Sequence, residues 1–556
     1  MPIAPIRDLG SVGVIADRDP YDNPVAAFTF ASNARFEDGR ITRGPVFATV
    51  GTLAANAAPR YAFSYKQLAG TQQYHIANRD GTVTNWTAQT LGGASLETTI
   101  SPVAWTPANS DFPYTSDEVQ DVVYLNRPDH VPWYKPKGST LFANLPDAGG
   151  LGWNSTWRCA AIRAVGGVLA AINVTKGATA YPTMVKTSDF MVFGSPPAEW
   201  VGSTTNSATE QIIADLAEPL VDGWPLRDKL MLYSENETWA MEPRYDSLMF
   251  NYRRLFTEST SSGVINQNCV AEYNNQHYVF GSTDIWQHDG FNRKSLAAGK
   301  VRDFIYNSMD KTQSNLFFVD HNARLNEIMF CYVSNDPYCR YPNVALAGCN
   351  RCAVFNYRSG TWYFYDLPYI VSGDLGISVT GTTYTGISPE TYDSVVGSFS
   401  SFGDATKPVL MMVGTAQSGD YGSLACAVRS FDRIGQSATN GILDVPATAP
   451  VFLENQGIDL DGLQVELRGY KVIKAIYPEG RFTPDPGTLT FQFATKDGAG
   501  APQSAYSDAM TYDGNALYKL DYTEAGRFLD MKITTSDIVA FSLSGMDVDL
   551  VKTGNR

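Results

Sequence analysis

Period-two alternation of apolar and polar residues, broken every few residues by Gly, Asn or Asp, governs this chain from about residue 48 to its end. YHIANRDGTVTNWT (74–87), KLMLYSENETWAME (229–242), AEYNNQHYVFGSTDIWQHDG (271–290) and CAVFNYRSGTWYFYDLP (352–368) share one grammar. A strand meets a polar turn (78–81, 274–276, 358–360), and a second strand follows carrying Trp or paired aromatics. That is the β-hairpin signal, with Gly and Asn supplying the positive-φ positions. Hairpins centred near 80, 166, 236, 275, 285 and 359 recur irregularly. Aromatic-rich blades of about 40–50 residues stacked radially would make a β-propeller. The chain carries neither a WD nor a kelch signature, so a multi-sheet sandwich is the alternative.

The expected fold is therefore mainly β: a propeller-like domain of antiparallel blades over 51–434, preceded by an extended, Pro-rich N-terminal arm over 1–50. GQSATNGILDVPATAP (435–450) reads as a linker, and 451–556 as a C-terminal all-β module. Helix is scarce. Ser207-Ala-Thr-Glu210 has the form of a capping box, and Ile212, Ile213, Leu216 and Leu220 follow at helical spacing, with Pro219 as terminator. A shorter helix is expected from Lys300 to Met309, with Val301, Phe304 and Ile305 inward.

Length and charge narrow the function. At 556 residues the chain exceeds one ordinary core and should hold two to four domains, or one large repetitive one. Its 42 Lys+Arg against 57 Asp+Glu leave a net charge of −15, and charged residues make only 18% of the chain. With aromatics at 12% this is not a disordered composition. Nor does it suit a broad basic face that binds nucleic acid by displacing counterions. The N-terminus lacks the basic-then-apolar order of a secretory signal. The most apolar stretch, 159–174, contains Arg163 and Gly166-Gly167, and is shorter than the roughly 20 residues of a membrane helix. It reads as a hairpin turning at the glycines. Seven Cys, an odd number widely spread, argue against a disulfide framework and for synthesis in a reducing cytoplasm.

The search for chemistry yields few candidates. Neither a phosphate-binding Gly-rich loop nor a nucleophile elbow nor an HExxH pair occurs. Cys331, Cys339, Cys349 and Cys352 cluster, and read either as a zinc knuckle or as small buried strand residues. Of five His (His75, His130, His277, His288, His321), His277 and His288 flank a hairpin and would meet across strands, as metal ligands or as half-buried strand residues. Asp284, Asp289, Asp320, Asp366 and Asp374 stand where blade loops of a glycosidase would place paired carboxylates. The other reading is turn chemistry on a solvated rim. Trp86, Trp239, Trp286 and Trp362 would stack on sugars or, on second strands, pack blade against blade.

Several stretches, in order, resemble the tail nozzle family of short-tailed bacteriophages, also called tail tubular protein B. They are GVIADRDPYDNPVAAFTFASNARFEDGRITRGP (13–45), AYPTMVKTSDFMVFGSPPAEW (180–200), GVINQNCVAEYNNQHYVFGSTDIWQHDG (263–290), CNRCAVFNYRSGTWYFYDLP and GRFLDMKITTSDIVAFSLSGMDVDLVKTGNR (526–556). The resemblance implies a structural virion protein, assembled in the host cytoplasm, and not an enzyme. It implies a homohexameric ring below an adaptor ring and the portal, through which genomic DNA leaves without sequence-specific binding. A tail fibre, tailspike or distal plug would meet its far end. It carries no catalytic residues and no cofactor. Pro20, Tyr21, Phe30, Arg35, Arg527 and Phe528 lie in the segments that would contact adaptor or neighbouring subunit. The alternatives are a propeller-type glycosidase or depolymerase, and a sugar-binding receptor module.

Overall fold

Strands rich in Val, Ile and aromatics need cover on both faces, and here stacked sheets supply it. The structure, a computed structural model, describes residues 3–53, 58–66, 72–88, 95–103, 105–147, 149–244, 249–256, 261–377, 408–415, 426–433, 450–460, 470–483, 487–537 and 539–554. All of the expected linker except Pro450 lies outside them. Six four-stranded antiparallel meanders succeed one another over 59–99, 115–144, 157–212, 222–255, 270–295 and 318–377, each strand pairing with the next in sequence. We call them blades one to six.

Hydrogen bonds between neighbouring blades join them into a closed ring. Tyr61 of blade one shares a hydrogen bond with Ser116 of blade two, at 3.0 Å between hydroxyls. Ala164 N–H of blade three donates to Asp117 Oδ2 of blade two, at 2.7 Å. Arg163 grips Asp222 of blade four at 2.9 and 2.7 Å. The Asn268 N–H, at the head of blade five, donates to the same carboxylate, and the Asn268 carbonyl accepts from Val319 N–H of blade six. Ser64 N–H donates to Asp374 Oδ2 at 2.6 Å and closes blade six onto blade one. The mainly β, propeller-like class read from the hairpins is the class observed.

The turns follow the sequence. Asn274 and Asn275 both take positive φ (54° and 57°), as a two-residue hairpin of matching twist requires. Trp157–Val165 and Val168–Lys176 form the hairpin expected at Gly166-Gly167. Arg302–Ser308 is helical as expected, and Asp17 of the arm accepts from Asp303 and Phe304 N–H at its first turn. The helix expected after Ser207 is absent. Thr209–Ile212 is instead the outer strand of blade three, paired with residues 184–187, and Glu210 bonds Lys186 at 2.6 Å. Ile213, Leu216 and Leu220 are buried against Trp239 of blade four from an irregular segment, so a turn between blades produced the helical spacing.

The long strand Thr361–Ile377 ends blade six and continues beyond it. Its second half pairs with Pro408–Gly414, followed by Ala427–Arg433 and Val46–Thr52. Phe30–Ser32 bridges Phe364 to Val451–Asp459, which leads into the C-terminal strands Phe528–Thr535, Leu489–Lys496 and Met510–Tyr512. A second sheet runs Glu524–Gly526, Tyr470–Thr483, Ala540–Gly554, Arg40–Arg43, Ala34–Glu37, with Ile3–Ile6 also laid on Ala540–Gly554. Of the arm, Phe30–Ser32 is thus inserted between blade six and the C-terminal strands, while Ile3–Ile6, Ala34–Glu37 and Arg40–Arg43 belong to the second sheet.

Buried polar side chains lock that insertion. Arg35 Nε donates to Glu327 Oε1 at 2.8 Å, and the same oxygen accepts from the Tyr363 and Tyr365 hydroxyls. Arg351 pairs with Asp336 and Asp366, while Asn33 donates to Asp366 at 2.7 Å. Phe30 stacks between Tyr338 and Phe364, with ring centroids at 4.2 and 5.5 Å.

Candidate functional site

Where the innermost strands converge, they leave a cavity of about 400 Å³ on the blade axis. Tyr61, Ser116, Trp224, Asn268, Asp320 and Asp374 line it, from five different blades. Most of these polar groups are committed. Asn268 donates to the Tyr114 carbonyl and accepts from Arg163, whose guanidinium lies 4.5 Å over the Trp224 ring. Asp374 accepts from Ser64 N–H at Oδ2 and from Leu375 N–H at Oδ1. Asp320 is the exception: its Oδ2 is shielded from solvent and has no hydrogen-bond partner. That oxygen rests against Gly373, where any Cβ would collide with it.

Burial and proximity split the two acids. Removal from water pushes the Asp320 carboxyl up to about 8, with the Asp374 charge adding to the effect. Burial raises Asp374 only to about 6, because backbone N–H groups stabilise its charged form. At neutral pH one carboxyl therefore holds a proton while its neighbour is mostly ionised. Such a pair can donate to and accept from one ligand.

Of the five acids singled out by sequence, only these two share a cavity. Asp284 is spent on Ser295 and Arg293, Asp289 closes a turn on the backbone of Phe291 and Asn292, and Asp366 belongs to the buried Arg351 network. The belt of Asp117, Arg163, Asp222 and Asn268 was not foreseen. Its one visible signal was Arg163, a charge inside an otherwise apolar hairpin.

His277 and His288 do face each other across strands, with ring centroids 5.1 Å apart. Their nitrogens are occupied by protein. Both bond the Tyr233 hydroxyl of blade four at 2.7 Å, His277 Nε2 bonds the Pro225 carbonyl, and Gly290 N–H donates to His288 Nδ1. One proton arrangement satisfies every atom: His277 Nε2–H to carbonyl, tyrosine O–H to His277 Nδ1, His288 Nε2–H to the tyrosine oxygen. Burial lowers His277 to about 4 and holds His288 well below its ordinary value, so both rings are neutral.

The cysteines do not form a knuckle. Cys331 and Cys352 are cross-strand neighbours, whereas the Cys349 thiol donates to the Leu316 carbonyl and that of Cys339 to the Tyr341 carbonyl. All seven are free, and among the described residues no three His, Cys, Asp or Glu gather as a metal site. Trp86, Trp239, Trp286 and Trp362 are all at most 5% exposed, which places them between blades and away from any exposed ligand.

Of the residues expected at an adaptor or subunit contact, Phe30, Arg35 and Phe528 are buried within the chain. Phe30 and Arg35 seat the arm against blade six, and Phe528 packs edge-on against Tyr21 at 4.7 Å. Pro20 and Tyr21 remain partly accessible and Arg527 is exposed. No helix among the described residues is long and apolar enough to cross a membrane.

No family model matches the chain, and no curated protein does. Among solved structures it is similar to the computationally designed Ika8 protein, at 11% identity and a TM-score of 0.35, over 69% of this chain and 100% of that one. A likeness of that size bears on neither fold nor function.

Proposed function

We propose that the chain is the subunit of a homohexameric tail nozzle of a short-tailed bacteriophage, a structural virion protein seated below an adaptor ring and portal. The observation that carries this reading is the platform. Arm strands and C-terminal strands, from about 420 to about 546 residues apart, are woven into shared sheets anchored on blade six. The sequence resemblance assigns adaptor contact to those same two segments, and a docking platform needs such rigidity. The axial cavity holds only about 400 Å³, far too little for a duplex, so a DNA path would run between subunits and not through a blade axis. Acidity suits that path. Six chains of −15 give 6 × −15 = −90 formal charges, which disfavours adhesion of a polyanion.

Negative-stain microscopy of the purified protein mixed with its adaptor tests the reading. The expected result is a six-fold ring with an axial hole. A monomer that forms no ring even with the adaptor present would overturn it.

The axial carboxylates favour a second reading, a propeller glycosidase, because Asp320 and Asp374 differ in protonation within one cavity. Release of reducing sugar from host-surface polysaccharide, abolished by Asp374→Asn, would establish it. An unchanged substrate would dispose of it.

A further inference from the structure

The axial cavity has what a conduit subunit does not need. A propeller axis can be plugged by apolar side chains, yet here Tyr61 and Trp224 share the lining with two carboxyls, and Asp320 leaves a shielded oxygen without any partner. An orphaned buried polar atom costs roughly 1–3 kcal/mol, so its retention calls for a ligand or another compensation.

We infer that this cavity binds one neutral polyhydroxylated ring, a hexose or the end of a short glycan, held among Trp224, Tyr61, Asp320 and Asp374. Size agrees: about 400 Å³ lies at the small end of ligand sites and accommodates one or two sugar rings. Chemistry agrees as well. Adjacent hydroxyls on a sugar each donate and accept, and a protonated carboxyl beside an ionised one offers one group of each kind. A cationic ligand fits less well, because the Arg163 guanidinium, 4.5 Å from the Trp224 ring centroid, already sets a positive charge beside a residue of the cavity wall. Gly373 completes the site by leaving room for the Asp320 carboxyl, which a larger residue would drive into the cavity.

The test is calorimetric titration of the full chain with glucose, galactose and N-acetylglucosamine, and separately with calcium chloride and spermidine. We expect saturable binding of at least one sugar in roughly the millimolar range, as suits a small ligand with few contacts. Asp320→Ala should weaken it at least about tenfold, whereas Asp320→Asn, which keeps a hydrogen-bond donor in the same volume, should stay within a few fold. Gly373→Ala should block binding by a second route. Circular dichroism of each variant separates a lost site from a lost fold. No sugar binding by the folded wild type, binding indifferent to Asp320→Ala, or binding of calcium or spermidine in place of sugar would each overturn the inference. It stands apart from the conduit reading: a six-fold ring that ignores sugars removes only this site.

Discussion

At the scale of single residues, the stability of this fold depends on protons held in buried places. His277 is a base whose folded pKa, about 4, lies below its ordinary value near 6.5, so the unfolded chain takes up the proton first. Its contribution is complete above about pH 6.5 and is lost as pH falls towards 4, on the order of 3 kcal/mol across the window. Urea denaturation at pH 7, 5.5 and 4.5 should show this decline. Tyr233→Phe should cost about 2–4 kcal/mol at pH 7, since it strands an acceptor on His277 and a donor on His288 in one step. Asp320 runs in the opposite sense. Its folded pKa is raised, so its contribution is present below about pH 4 and is lost as pH climbs towards 8. Asp320→Asn should therefore gain stability over wild type progressively between those limits, then hold a constant advantage. A difference that does not change with pH would show that Asp320 ionises freely. None of this was legible in the sequence, where Tyr233, His277 and His288 are strand residues separated by 44 and 11 positions. Only folding makes them one hydrogen-bonded unit.

Elements were legible in proportion to how local their causes are. The Asn274–Asn275 hairpin and the turn at Gly166-Gly167 are fixed by two residues each, and both were read correctly. The segment after Ser207 was misread because Ile213, Leu216 and Leu220 meet the core from a turn, and periodicity cannot distinguish that from a helix over so few residues. The arm was visible only as a change of composition. Its partners lie hundreds of residues away, and nothing local names them. Its anchorage is testable at Arg35. Replacing it with Ala leaves Glu327 buried with a charge and no cation, and should cost roughly 3–5 kcal/mol. Limited proteolysis should then cut within the first fifty residues faster than in wild type. Equal cleavage rates would mean that strand pairing alone holds the arm.

For the whole molecule, the charge surplus and the repeated hairpins were both readable, whereas ring closure was not. The Arg163–Asp222 pair and the bond from Ser64 to Asp374 link blades that no motif connects. If the proposed hexamer is correct, Asp and Glu should outnumber Lys and Arg along its lumen, and the ring should show no salt-dependent retention of duplex DNA in a filter-binding assay. Strong retention at low salt, lost at high salt, would contradict a conduit that lets DNA slide.

Laying Ile3–Ile6 against residues 546–549 has a consequence for biosynthesis. A strand made early must wait for one made more than 500 residues later. At roughly 5–20 residues per second a ribosome needs on the order of half a minute to two minutes to deliver its partner. During that interval the blades can form in turn behind the exit tunnel, each from neighbouring segments, while the platform cannot. Pairings of such sequence separation are also slow to find. The nascent chain is therefore a string of finished blades with an open end, and the sheet that joins its two ends forms only after residues 546–549 have emerged. Folding is ordered in time by the topology itself: the blades come first, and the sheets shared by both ends of the chain come after them.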